Sequence, residues 1–114
     1  MIDNHFTEIA DLESLDRFVA SLNSSAGVVF KHSDTCGVSS RAYTEMSKLE
    51  LPIGIVIVQR ARSVSDEVEK RWQVNHETPQ VLIIKNGKSV WNASHFQVKA
   101  DGIAAAVAKL DSEQ

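Results

Sequence analysis

Three apolar runs, Val28-Val29-Phe30, Ile53-Gly54-Ile55-Val56-Ile57-Val58 and Val81-Leu82-Ile83-Ile84, constrain this chain more than any other feature. They are rich in β-branched residues and lack the polar alternation of a half-exposed strand, so each reads as a strand buried on both faces. Strands of that kind need helices above and below them, and the intervening segments supply the helical period. Leu15, Phe18, Val19 and Leu22 fall on one face behind Asp11. Val38, Ala42, Met46 and Leu49 repeat at four, four and three behind Ser33-Asp34-Thr35, all good helix-capping types. That spacing predicts a helix of about a dozen residues running to Glu50, with Pro52 as its stop.

A third helix carries Val64, Val68 and Trp72, with Ser63 or Ser65 expected as its cap and Asp66 and Glu67 in its first turn. A fourth has Ile103, Val107 and Leu110 on one side, with Asp101 as the expected cap. His5 to Ile9 alternates like a short half-buried strand. Asn86-Gly87 is a hairpin signal between Gln80–Lys85 and Lys88–Ala93, which makes the last two strands antiparallel. The order is β-α-β-α-β-α-β-β-α, an α/β chain with a mixed central sheet flanked by helices. This is the element order of the thioredoxin fold. No linker, low-complexity stretch or repeat divides the sequence, so residues 1–114 are expected to form one thioredoxin-like domain.

Charge and cysteine content narrow the function. Twelve Lys and Arg against fifteen Asp and Glu, net −3, exclude a binder that works by neutralising phosphates. No window approaches a membrane span, and Met1-Ile2-Asp3-Asn4-His5 does not open like a signal peptide, so a small soluble intracellular domain is expected. The acidic residues of the first sixteen positions, Asp3, Glu8, Asp11, Glu13 and Asp16, read as a solvated face. The single cysteine, Cys36, excludes an internal disulfide, an internal dithiol couple and a multi-thiolate metal site. Nor do His5, His32, His76 and His95 have metal-ligand spacing, so no metal is expected.

Cys36 itself is expected in the first turn of the second helix, where unpaired N–H groups and the positive dipole end favour a thiolate. Thr35, Gly37, Val38 and Ser39 would surround and stabilise that anion, with Gly37 and Val38 giving N–H groups and Ser39 a hydroxyl. His32 is expected to reach solvent at the strand tip, and Trp72 and Trp91 to pack. In a dithiol thioredoxin the position of Ser39 is a second cysteine. A hydroxyl there cannot attack a mixed disulfide, so an external thiol must release it. Thr78-Pro79 opens the fourth strand where this fold carries a cis-proline, and is expected to dock the substrate backbone.

The stretch Lys31-His32-Ser33-Asp34-Thr35-Cys36-Gly37-Val38-Ser39, with His76-Glu77-Thr78-Pro79-Gln80, Asn86-Gly87 and Ala93-Ser94-His95, resembles the YtxJ-type bacilliredoxins. These are bacillithiol-linked monothiol thioredoxin-like proteins of bacteria. The resemblance implies a cytoplasmic oxidoreductase whose lone cysteine takes a low-molecular-weight thiol, bacillithiol, from mixed disulfides on thiolated protein substrates. The small thiol is then a co-substrate with no tightly bound cofactor, and a monomer is expected. One departure is Gly37-Val38 where the family has Pro-Ile; a glycine loosens the helix start and frees an N–H. It also brings Cys36-Gly37-Val38-Ser39 close to the Cys-Gly-Phe-Ser of monothiol glutaredoxins, which bridge an iron–sulfur cluster as dimers. Their Gly-Gly-x-Asp segment is replaced here by Asn92-Ala93-Ser94-His95. A non-catalytic thioredoxin-like binding module is the third reading.

Overall fold

A computed structural model of the chain describes residues 5–112. Its elements are β1 (Phe6–Glu8), α1 (Leu12–Ser21), β2 (Gly27–His32), α2 (Gly37–Met46), β3 (Ile53–Ile57), α3 (Arg62–Trp72), β4 (Gln80–Lys85), β5 (Lys88–Ser94) and α4 (Ala100–Ser112). A short 3₁₀ turn, His95–Gln97, links β5 to α4. Segment 1–4, with Asp3 of the acidic run, lies outside the described residues.

The five strands form one sheet in the order β1-β3-β2-β4-β5. β3 runs parallel to both β1 and β2, and β4 runs antiparallel to β2 and to β5. Every residue of β2, β3 and β4 is buried, as their unbroken apolar character requires. Alternate residues divide between two cores. Val29, Val56, Leu82 and Ile84 face α1 and α3 and pack with Leu15, Phe18, Val64 and Val68. Val28, Phe30, Ile55, Ile57, Val81 and Ile83 face α2 and α4 and pack with Ala42, Met46 and Ile103. Trp72 and Trp91 pack, half-buried, against these two cores, one on each.

Local signals hold where the chain is self-sufficient. Asp11 caps α1 by accepting from the Ser14 N–H at 2.8 Å, and the Ser14 hydroxyl accepts the Asp11 N–H in return at 3.1 Å. Asn86 and Gly87 take φ of 53° and 76°, the paired left-handed conformation of a two-residue hairpin turn. The Trp72 indole N–H donates to the Gly87 carbonyl at 3.0 Å and ties the end of α3 to that hairpin.

Three boundaries differ from expectation. α2 stops at Met46, not Glu50, because the Ser47 hydroxyl turns back onto the Thr44 carbonyl at 2.7 Å. Leu49 is still buried, carried inward by a turn in which its N–H meets the Met46 carbonyl. α3 begins at Arg62 behind Ala61, with no side-chain cap, so Ser63 and Ser65 lie inside the helix and Asp66 and Glu67 lie past its first turn. The tight reversal at the end of β3 starts it directly: the Arg60 and Ala61 N–H groups both meet the Ile57 carbonyl. Asp101 sits in the first turn of α4 and is not its cap.

Met46 is fully buried under the sheet and fixes the far end of α2. Met46→Ala should cost about 2–5 kcal/mol in urea unfolding. A loss below about 1 kcal/mol would mean that α2 is not anchored there.

Candidate active site

Chain geometry puts Cys36 at the junction of β2 and α2, as the capping residue of the helix and not inside its first turn. Its φ of −110° and ψ of 125° are extended, the usual conformation of a helix cap. A side chain in that position faces the N–H groups of the second and third helical residues, here Val38 and Ser39. No cap hydrogen bond closes on the neutral thiol. The anion gains what the thiol lacks. The Ser39 N–H, then the Val38 N–H, hold the Cys36 pKa below its ordinary value against slight desolvation, and the Ser39 hydroxyl adds to them. Gly37 contributes no such group, because the first helical N–H lies outside the capping pair.

Ser39 is fully buried, on the same helical face as Ala42 and Met46. Its Oγ accepts the Ser33 N–H at 3.2 Å, which leaves its own proton free to point at the sulfur. Thr35, expected among the thiolate-stabilising groups, turns the other way. Its Oγ1 lies 3.4 Å from Ser33 Oγ and accepts from Gln59 Nε2 at 3.2 Å.

His32 also departs from expectation. It is buried, its ring packed between Phe30 and Tyr43 at centroid distances of 5.4 and 5.3 Å. Burial pushes its pKa down, opposed by Asp34, whose carboxylate lies 3.4 Å from Nε2, and by the Ser39 backbone. At neutral pH the ring is therefore uncharged. The thiolate is held by helix N–H groups, without an imidazolium beside it.

Thr78–Pro79 is a cis peptide bond. Gln80, the next residue, pairs with Lys31 across β2 and β4. The proline therefore stands opposite the end of β2, where the Cys36 loop leaves the sheet. The Pro79 carbonyl accepts the His95 N–H at 2.9 Å, and His95 Nε2 lies 3.1 Å from Glu77. The His95–Gln97 turn packs against α2 and is tied to the Thr78-Pro79 loop by the His95–Pro79 hydrogen bond, so the loop neighbours α2 through this turn. His76 is exposed, its Nδ1 3.2 Å from Ser65 Oγ. Among the described residues, no group of three His, Cys, Asp or Glu side chains could hold a metal ion. Nor is any helix long and apolar enough to cross a membrane.

Two side chains escaped the sequence reading. Lys31 is fully buried on the α3 face, its Nζ 3.5 Å from the Ser65 carbonyl. Burial lowers its pKa, and Glu69, Asp66 and Glu77 oppose that shift. Gln59, from the loop after β3, bonds the Cys36 loop at three successive residues. Neither had a local signal: a lysine just past an apolar run reads as the strand leaving the core, and a glutamine after a strand resembles any surface residue.

The model of the monothiol bacilliredoxin family, BrxC, matches residues 7–103. The chain belongs to that family. A solved protein described as a candidate oxidoreductase with a thioredoxin fold is 30% identical, with a TM-score of 0.83 over 89% of this chain and 92% of its own. Fasciola hepatica thioredoxin superposes with a TM-score of 0.75 at 16% identity, covering 90% and 97% of the two chains. Chlamydomonas reinhardtii thioredoxin f2 gives 0.73 at 15%, covering 92% and 95%. These thioredoxins share the fold.

Within a bacilliredoxin, Gly37 is the residue to explain. A Cβ built on it meets nothing within 4 Å, and its backbone is not left-handed, so glycine is not required there. Proline suits the first helical position, and Cys36 already has the extended conformation demanded before a proline. The N–H that proline would remove is not one that serves the sulfur. Gly37→Pro should therefore stabilise the protein by about 0.4–1 kcal/mol, through the unfolded chain, and leave the Cys36 titration in place. A large rise in the Cys36 pKa would show that the Gly37 N–H also serves the thiolate.

Ser39→Ala should raise the Cys36 pKa and, by stranding the buried Ser33 N–H, cost about 1–3 kcal/mol. The pH dependence has a definite sign. Iodoacetamide alkylation of the wild type climbs as pH rises through the lowered Cys36 pKa and then levels off. The unfolded thiol titrates near 8.5, so the reduced protein gains stability as pH rises from the folded value toward about 8.5. It loses that stability as pH falls back through the folded value.

Proposed function

We propose that the protein is a monothiol thiol–disulfide oxidoreductase that removes bacillithiol from mixed disulfides on cytoplasmic proteins, acting as a monomer. Cys36 thiolate attacks the small-thiol sulfur of the mixed disulfide. A new disulfide forms between Cys36 and the small thiol, the old bond breaks, and the target protein leaves as a thiolate that takes up a proton. A second small thiol, as thiolate, then attacks the adduct and leaves as the small-thiol disulfide, and Cys36 is reduced again. Each step exchanges one S–S bond for another, so no further oxidant or reductant is needed.

The observation that carries this reading is a single thiol at the cap of α2, facing the Val38 and Ser39 N–H groups, with Ser39 where a resolving thiol would stand. Ser39 donates to the departing or attacking sulfur anion but has no sulfur to resolve the adduct. Thr78 and Pro79, opposite the end of β2 that leads to Cys36, are suited to hold the extended backbone on one side of the mixed disulfide while the small thiol meets Cys36.

Incubation with bacillithiol disulfide should add one small-thiol mass to the wild type and none to Cys36→Ala, with a slower adduct from glutathione disulfide. Wild type and Cys36→Ala giving the same spectra would overturn the exchange reading. Equal rates with both disulfides would overturn only the choice of bacillithiol.

A further inference from the structure

Between the end of β2 and Cys36 lie three residues, Ser33, Asp34 and Thr35, and one side chain from elsewhere in the fold grips all three. Gln59 stands just past β3 and is 25 residues from Asp34 in sequence. Its Nε2 donates to Ser33 Oγ at 2.7 Å and to Thr35 Oγ1 at 3.2 Å. Its Oε1 accepts the Asp34 N–H at 3.2 Å. One planar amide thus uses both ends on a single turn of chain, donor to two hydroxyls and acceptor to the N–H between them. The loop's other contacts are short-range: Cys36 N–H toward the Ser33 carbonyl at 3.5 Å, the Ser33 N–H on Ser39 Oγ, Ser33 Oγ beside Thr35 Oγ1, and Asp34 beside His32.

We infer that Gln59 is a positioning residue for Cys36. It holds the loop so that the chain enters α2 with the sulfur turned to the helix's first N–H groups. Two routes carry the effect. Fixing Thr35 restricts the approach to Cys36, whose extended backbone puts the side chain over Val38 and Ser39. Fixing Ser33 keeps its N–H on Ser39 Oγ, and that bond occupies the oxygen and leaves the hydroxyl proton for the thiolate. The loop after β3 thereby acts on the thiol through the three residues that lead to it. The inference rests on the reading of Cys36 as the reacting group, and it names a residue outside the Cys36–Ser39 and Thr78-Pro79 motifs.

Gln59 is exposed, so its replacement leaves the core intact. The test is the Cys36 titration, followed by ultraviolet thiolate absorbance and by iodoacetamide alkylation, in wild type, Gln59→Leu, Ser33→Ala and the double variant. Gln59→Leu should raise the Cys36 pKa by about half to one unit and slow alkylation about three- to tenfold at a pH below both values. Because Gln59 and Ser33 act through one loop, the double variant should shift less than the sum of the two. Val68→Ala, in the α1–α3 core, should lower Tm and leave the titration unchanged.

A Gln59→Leu protein with a lower Tm and a wild-type titration would overturn the inference and assign Gln59 a structural role alone. Strictly additive shifts would overturn the shared-loop route. Both results leave the exchange reading standing. A wild-type Cys36 that titrates at the ordinary thiol value would instead remove that reading, and the inference with it.

Discussion

The first turn of α2 presents backbone N–H groups that no carbonyl of the helix reaches, and the side chain placed over them is a thiol. A serine or aspartate there would close the cap and end the matter. A neutral thiol closes it poorly, so the helix end is best satisfied when the sulfur is ionised. Helix capping and nucleophile activation are one interaction here, and much of the fold serves to keep it in place. β2 is buried on both faces and delivers the loop at a fixed point. Ala42 and Met46 hold α2 against the sheet. Ser39, on that same buried face, fixes the position of one of the two N–H groups that serve the sulfur.

That arrangement explains which features could be read from the chain. β2, β3 and β4 were legible because β-branched runs with no polar alternation have few alternatives, and all four helices followed from their apolar period. Asn86-Gly87 and Asp11 carry their signals in two or three residues, and the structure keeps both. The errors share a cause. Ser63, Ser65 and Asp101 are good capping types, but the reversal after β3 starts α3 at Arg62, and α4 starts at Ala100, whose N–H meets Glu45 Oε1 at 2.9 Å. His32 looked like a strand tip because nothing local shows that Tyr43 and Phe30 close over it. Lys31 and Gln59 depend on α3 and on the loop after β3, and such long-range partners leave no trace in spacing.

The single cysteine and the departure at Gly37 bear on one question, how the sulfur anion is stabilised once it leaves or before it attacks. In the proposed exchange, with no second thiol, the adduct on Cys36 would last until an external thiol arrives, and the thiolate would have to be a good leaving group as well as a nucleophile. N–H groups from Val38 and Ser39 stabilise it in both roles, and both belong to helix positions that proline or glycine at 37 leaves unchanged. The neutral state of His32 fits the same scheme, since the thiolate depends on fixed backbone dipoles and not on a titrating neighbour.

The most direct measurement is a single-turnover reaction between reduced protein and an equimolar bacillithiolated target, quenched in acid and resolved by intact mass. Exchange through Cys36 predicts that the small-thiol mass leaves the target and appears on Cys36 in the same time course, one for one. A target that is reduced with no adduct on Cys36, or a covalent complex of Cys36 with the target itself, would contradict it.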